Sequence, residues 1–172
     1  MTLLRAKRPD ALAPGLPADL VPEALARIEL LEVEDVPGGV VLLPGTAAFL
    51  DPLPADRWAV VTSATRRLAE ARLSEVGIRP KTLVSADDVT CGKPDPEPYL
   101  LAARELGVDP ARCVVFEDAP AGLQAGRAAG MTTVALATTH EASELDADLV
   151  VKDLSALSAL VTAGGVEIST RG

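Results

Sequence analysis

The chain has 172 residues, which suits one domain with its own core and leaves little room for two. Its 16 basic and 25 acidic residues give a formal charge of −9, which repels polyphosphate backbones and anionic lipid surfaces, so nucleic acid and membrane drop out as partners. Hydrophobic residues make up 48% and charged residues 24%, an ordinary globular balance that excludes a disordered chain.

In chain order, Arg5 to Pro17 carries Pro9, Pro14 and Gly15 and reads as irregular. A helix follows, with Pro22 in its first turn and Leu25, Ile28 and Leu31 at three-residue steps to about Val33. Pro37-Gly38-Gly39 breaks it, and Val40 to Leu43 leads through Pro44-Gly45 into a short helix from Thr46, an expected N-cap, to about Leu53. Trp58 to Val61 is a buried-strand run. Thr65 to Val76 is a helix with Leu68, Ala69, Leu73 and Val76 on one face, closed by Gly77. Thr82-Leu83-Val84 is the next strand, followed by a loop to Lys93 and a helix from Asp95 to Gly107 with Pro96 in its first turn. Cys113 to Phe116 is a strand, Pro120 to Ala129 a helix stopped by Gly130, and Thr132 to Leu136 another strand. Leu149-Val150-Val151 and a helix over Leu154 to Leu160 complete the series.

Short apolar strands alternating with helices predict an α/β fold with a Rossmann-like, doubly wound parallel sheet covered on both faces. Cys91 and Cys113 lack the partners of a zinc site and read as reduced thiols. The N-terminus turns charged too early for a signal peptide, and no window approaches the ~18 apolar residues of a membrane span, so a cytoplasmic protein is expected.

In such sheets ligands bind at the carboxyl ends of the strands. Thr62 and Ser63 follow one strand directly, Lys93 lies in the loop after the next, and Glu117-Asp118 close a third. Hydroxyls and backbone N–H groups bind phosphoryl oxygens, an ammonium adds a point charge, and paired carboxylates suit Mg²⁺, a hard ion that takes oxygen ligands. Each group also has a plain structural reading: a solvated loop lysine, a carboxylate pair capping the helix at Pro120, and hydroxyls in a turn. His140, the single histidine, is set aside as a loop residue, Cys91 as a bystander, and Trp58, Tyr99, Phe49 and Phe116 as core.

Val60-Val61-Thr62-Ser63-Ala64-Thr65, Gly92-Lys93-Pro94-Asp95-Pro96-Glu97-Pro98-Tyr99 and Phe116-Glu117-Asp118-Ala119-Pro120-Ala121-Gly122 resemble, in order and spacing, the second, third and fourth motifs of haloacid dehalogenase superfamily hydrolases. The Glu-Asp pair before Ala-Pro-Ala-Gly resembles the sugar-phosphatase and β-phosphoglucomutase subgroup. The resemblance implies Thr62 and Ser63 as phosphate binders, with Thr62 and Lys93 catalytic. It makes Lys93 the phosphate-neutralising ammonium and Glu117 with Asp118 the Mg²⁺ ligands. It further implies residues 1–36 as a remnant of a helical cap, 37–165 as the core and 166–172 as a C-terminal tail. The implied activity is Mg²⁺-dependent hydrolysis of a small sugar or polyol phosphate through an aspartyl-phosphate. Its alternatives are β-phosphoglucomutase-like isomerisation and an inactive remnant that binds phosphate or Mg²⁺ without turnover. Metal-free dehalogenation suits the carboxylate pair poorly.

The family's first motif, a strand ending in Asp-x-Asp-x-Thr that carries the nucleophile, has no match. Asp146-Ala147-Asp148 is the single Asp-x-Asp, and it comes after the fourth motif with no apolar strand before it. The resemblance places the missing strand at the centre of the sheet, and its burial would contribute roughly 6–12 kcal/mol from about four apolar side chains. The chain is therefore expected to be N-terminally truncated or mis-started, to fold poorly or borrow a strand, and to self-associate through the edges left open.

Overall fold

The computed structural model describes residues 4–5, 17 and 19–171, so most of the irregular stretch expected over residues 5–17 lies outside the described residues. Helix α1 spans Val21–Glu34. Strand β2, Val41–Leu42, pairs antiparallel with β1, Leu4–Arg5. A short helix α2, Thr46–Leu50, leads to β3, Ala59–Val61, and α3, Arg66–Glu75. Strand β4, Thr82–Val84, is followed by α4, Glu97–Leu106, then β5, Val114–Glu117, and α5, Pro120–Ala128. Strands β6, Thr132–Leu136, and β7, Leu149–Val151, precede a hairpin of β8, Leu157–Thr162, and β9, Gly165–Thr170.

The parallel, doubly wound α/β architecture is present, but its ladder comes in two pieces. Strands β3 and β4 pair in parallel, as do β5, β6 and β7, and no described strand joins β3 to β5. One face carries a core of Phe49, Leu50, Val60, Phe116, Leu136 and Leu154, over which the β8–β9 hairpin packs. The other carries Val61, Val84, Tyr99, Ala102, Ala103 and Val115 under α4 and α5. Side chains of successive strand residues alternate between these faces, which is why Val60 and Val61 fall in different clusters.

Helix α1 sits on α3 through polar contacts. Thr65 Oγ1 donates to Glu29 Oε1 at 2.6 Å, and Arg72 Nη2 pairs with Glu32 Oε1 at 3.0 Å. Val33, Val36, Val40 and Leu68 pack beneath them. The apolar stripe expected on α1 is only partly used, since Leu25 and Leu31 stay exposed.

Two expectations are corrected at the C-terminal end. Leu154–Ala156 is a single 3₁₀ turn, and the segment expected as a helix to Leu160 continues as β8. Residues 166–170, expected as tail, form β9, paired with β8 over its whole length. The Ala163-Gly164 turn and the β-branched Val166, Ile168 and Thr170 favour the hairpin. A third correction concerns α2, whose N-cap is Gly45 and not Thr46. Gly45 has φ +79° and packs so closely on the Leu154–Ser155 backbone that a Cβ would lie 2.2 Å from Ser155 N, so only glycine fits. Among the described residues no helix is long and apolar enough to cross a membrane.

Candidate active site

The residues singled out by sequence converge at the carboxyl ends of β3 and β5. Thr62 N–H extends the ladder by donating to Val84 C=O at 2.9 Å, and Thr62 Oγ1 accepts from Ala64 N–H at 3.1 Å, turning the chain out of the strand. Ser63 is exposed at this turn, and Thr65 caps α3 by accepting from Leu68 N–H. The first turn of α3 is closed by the chain's own side chains, since Arg66 N–H donates to Asp87 Oδ2 at 2.8 Å and Leu68 N–H to Thr65 Oγ1 at 3.4 Å, so the polar groups this turn presents at the rim are the Thr62 and Ser63 hydroxyls.

Lys93 reaches in from the loop before α4, ahead of a cis peptide to Pro94. Its Nζ donates to Val61 C=O at 3.1 Å and to Glu117 Oε1, so one ammonium touches the last residue of β3 and the last residue of β5. Tyr99, buried on α4, donates its hydroxyl to the same Glu117 oxygen at 2.5 Å, and Lys93 Nζ stands 5.1 Å from its ring centroid. Burial alone would push Glu117 up, but positive charge, Lys93 included, and the hydrogen bonds from Lys93 and Tyr99 outweigh it and hold the carboxyl below its ordinary range. Burial, then the Glu117 charge, push the Tyr99 hydroxyl well above its ordinary value, so it stays a donor.

The Ala-Pro-Ala-Gly run after Asp118 acquires a physical reason. Gly122, in the first turn of α5, lies directly under Glu117, and a Cβ there would come within 2.3 Å of Glu117 Cδ. The glycine lets the buried carboxylate settle onto the helix.

Asp118 is buried, and its backbone carbonyl accepts from Thr139 Oγ1 at 2.9 Å and lies 3.0 Å from His140 Nδ1. His140, expected as a loop residue outside the site, therefore belongs to the rim, and Tyr99 has a polar role beyond the core. Neither carries a sequence signal for this, because the partners lie 18 and 22 residues away in the chain. Cys91 is exposed in the same loop as Lys93, and its N–H donates to Glu97.

Asp148 and Asp146 are elsewhere. Asp148 accepts from Thr133 N–H at 2.7 Å and Thr133 Oγ1 at 2.9 Å at the amino ends of β6 and β7, and Asp146 pairs with Arg127. This Asp-x-Asp fastens the far end of the sheet. For a divalent cation, Glu117 and Asp118 are the rim carboxylates that could serve as hard oxygen donors, with Glu117 Oε1 already bonded to Lys93 and Tyr99; among the described residues no cluster of three or more histidine, cysteine or carboxylate side chains gathers to hold a metal.

A parallel sheet wrapped by helices, with its polar rim at the carboxyl strand ends, defines a Rossmann-like α/β domain with a ligand site at that rim. The model of haloacid dehalogenase-like hydrolases matches residues 2–130, and the chain belongs to that family. It is 44% identical over 130 residues to glycerol-1-phosphate phosphohydrolase 2 of Saccharomyces cerevisiae, covering 69% of this chain and 50% of the yeast protein. Hexitol phosphatase A of Escherichia coli is 39% identical over 145 residues, covering 82% of this chain and 66% of that one. The chain thus spans half to two thirds of these relatives. Among solved structures, a hydrolase from Pseudomonas syringae superposes with a TM-score of 0.74 at 26% identity, covering 81% of this chain and 67% of the other. CbbY from Rhodobacter sphaeroides in complex with phosphate gives 0.66 at 28% identity, covering 87% and 69%.

Proposed function

We propose that this chain carries the phosphate- and metal-binding rim of a Mg²⁺-dependent phosphatase acting on small sugar or polyol phosphates. The observation that carries the reading is Lys93, half-buried and held between Val61 C=O and the buried Glu117 carboxylate, with Asp118 next in the chain to Glu117. Relatives named as phosphatases of glycerol-1-phosphate and hexitols support the substrate class.

The Thr62 hydroxyl, the backbone at Ser63 and the Lys93 ammonium receive the phosphoryl oxygens, where positive charge and N–H groups neutralise the charge of the transferring group. Glu117 and Tyr99 fix Lys93 in position, and Thr139 with His140 fixes the Asp118 loop. Bound at Asp118 and Glu117, Mg²⁺ would supply charge neutralisation at the phosphoryl group. The nucleophile in this reading is the aspartate of the family's first motif, Asp-x-Asp-x-Thr, which has no match in this sequence. Its carboxylate displaces the alkoxide to give an aspartyl-phosphate, and water then releases inorganic phosphate. The site of action is cytoplasmic, where both thiols stay reduced.

Two measurements on the full chain test this. Inorganic phosphate binding followed by calorimetry should strengthen with Mg²⁺ and fall about tenfold or more in Lys93→Ala. Equal affinity in the variant, or no effect of Mg²⁺, refutes the assignment of the rim. Aryl phosphate turnover then separates a complete enzyme from a binding remnant. Phosphate moved within a sugar and not released would mark the mutase reaction instead.

A further inference from the structure

The loop that delivers Lys93 to the rim has little backbone bonding of its own. Among the described residues, the one backbone–backbone bond made within residues 89–95 runs from Asp95 N–H to Gly92 C=O at 3.0 Å. Thr90, Cys91 and Gly92 are exposed, so packing does not hold them either. A side chain does. Glu97, the first residue of α4, reaches back over the loop, and its Oε1 accepts from Thr90 N–H at 2.9 Å while its Oε2 accepts from Cys91 N–H at 2.7 Å. Both oxygens of one carboxylate are thus used on two successive N–H groups, which fixes the orientation of the backbone there as well as its position. The two bonds, Thr90 first, hold the Glu97 carboxyl below its ordinary range. Glu97 N–H donates in turn to Asp95 Oδ1 at 2.9 Å, fastening the loop to the helix on the other side of Lys93.

The first turn of α4 therefore grips Lys93 at both ends. Tyr99, two residues after Glu97, is buried and donates to the Glu117 carboxylate that receives the ammonium. Glu97 holds the backbone two and three residues before Lys93. The tip and the root of one side chain are referred to a single helical turn. A lysine carries its charge on a flexible four-carbon stem, so the place of the ammonium is defined only as well as its Cα is held.

We propose that Glu97 is a positioning residue for Lys93: by binding the Thr90 and Cys91 N–H groups it sets where the ammonium stands for the phosphoryl oxygens. The assignment rests on the rim being a phosphate site, and adds to it a residue that acts through another. A carboxylate in the first turn of a helix also has a plainer role, complementing the helix dipole. The two roles separate by length, since a shorter acid keeps the charge and loses the reach.

The test uses the full chain and two variants. Glu97→Gln keeps the length but turns an amide NH₂ toward one of the two donors, and Glu97→Asp keeps the charge at the start of α4 on an arm one methylene shorter. The first readout is lysine acetylation by acetic anhydride, followed by mass spectrometry. Lys93 should react at least about threefold faster in both variants, while the exposed Lys81 and Lys152 keep their rates. The second is affinity for inorganic phosphate by calorimetry, which should fall about fivefold in both variants and not fall further where Lys93→Ala is already present. Asp148→Asn, which perturbs the bonds to Thr133 at the opposite end of the sheet, should change neither readout. The proposal is overturned by unchanged Lys93 acetylation in the two variants, or by a response to Glu97→Gln alone, which would mark the helix charge. It is equally overturned by the same loss of affinity with and without Lys93, or by an equal response to Asp148→Asn, which would mark general loosening. If the unaltered chain binds no phosphate, the reading of the rim falls, and the acetylation rates alone decide whether Glu97 holds Lys93.

Discussion

Replacing Gly122 by alanine adds a single methyl group, yet the structure assigns it a large effect. The new Cβ would lie 2.3 Å from Glu117 Cδ and 2.5 Å from Oε2, and Glu117 is 2% exposed, so its carboxylate has nowhere to retreat. Either α5 shifts or Glu117 swings away from Lys93 and Tyr99. Separating a buried ion pair costs about 3–5 kcal/mol, and partial relaxation of the helix reduces this to roughly 2–4 kcal/mol. For a chain of this size the melting temperature should fall by about 5–15 °C. Urea denaturation at neutral pH with an unchanged slope measures the loss, and phosphate affinity should fall with it, because Lys93 loses its support. The decisive comparison is a double-mutant cycle with Glu117→Gln. The reasoning is refuted if Gly122→Ala costs less than about 0.5 kcal/mol, or if its cost is the same in the Glu117→Gln background, since the carboxamide keeps the volume that clashes but has no ion pair with Lys93 to lose.

Two further predictions concern the other half of the molecule. Asp88 is lowered from its ordinary value of 3.8 to about 2, first by the Arg66 guanidinium at 2.6 Å and then by the Ser85 hydroxyl and N–H. Its folded value lies below its unfolded one, so the stability it lends is complete above pH 4 and disappears as pH falls toward 2. Asp88→Asn should therefore destabilise the chain at pH 6 and be nearly neutral at pH 2 by urea titration; a loss independent of pH would contradict this. Thr65→Val removes both the α3 cap and the bond to Glu29, and should cost about 1–2 kcal/mol by the same method. Glu29→Gln alone should cost less, and an equal loss would mean that the cap contributes nothing.

The repeated strand and helix units were legible because buried parallel strands are short apolar runs, and Thr82–Val84, Thr132–Leu136 and Leu149–Val151 stand out between polar turns. The C-terminal hairpin was not, because Leu154, Leu157 and Leu160 repeat every third residue and imitate a helix face. The structure buries Leu154 and Leu157 but leaves Leu160 63% exposed, since β8 turns that side chain to solvent. At the rim, Thr62, Lys93, Glu117 and Asp118 could be read because each follows a strand. Their partners could not, since a tyrosine in a helix and a histidine in a loop look the same whether or not a carboxylate or carbonyl waits across the fold. Gly45 shows the same limit: only the approach of the Leu154–Ser155 backbone explains why α2 starts on a glycine.

The Lys93 bridge has a consequence for how the molecule comes apart. Residues 59–84 and 114–151 form two ladders, each with its own helices, and the rim residues are divided between them. Cooperative units of a protein open separately, and the boundary between two such units opens before either unit melts. Affinity for phosphate should therefore fade during denaturation while helical signal is still intact, a gap between two transitions that a site built within one unit would not display.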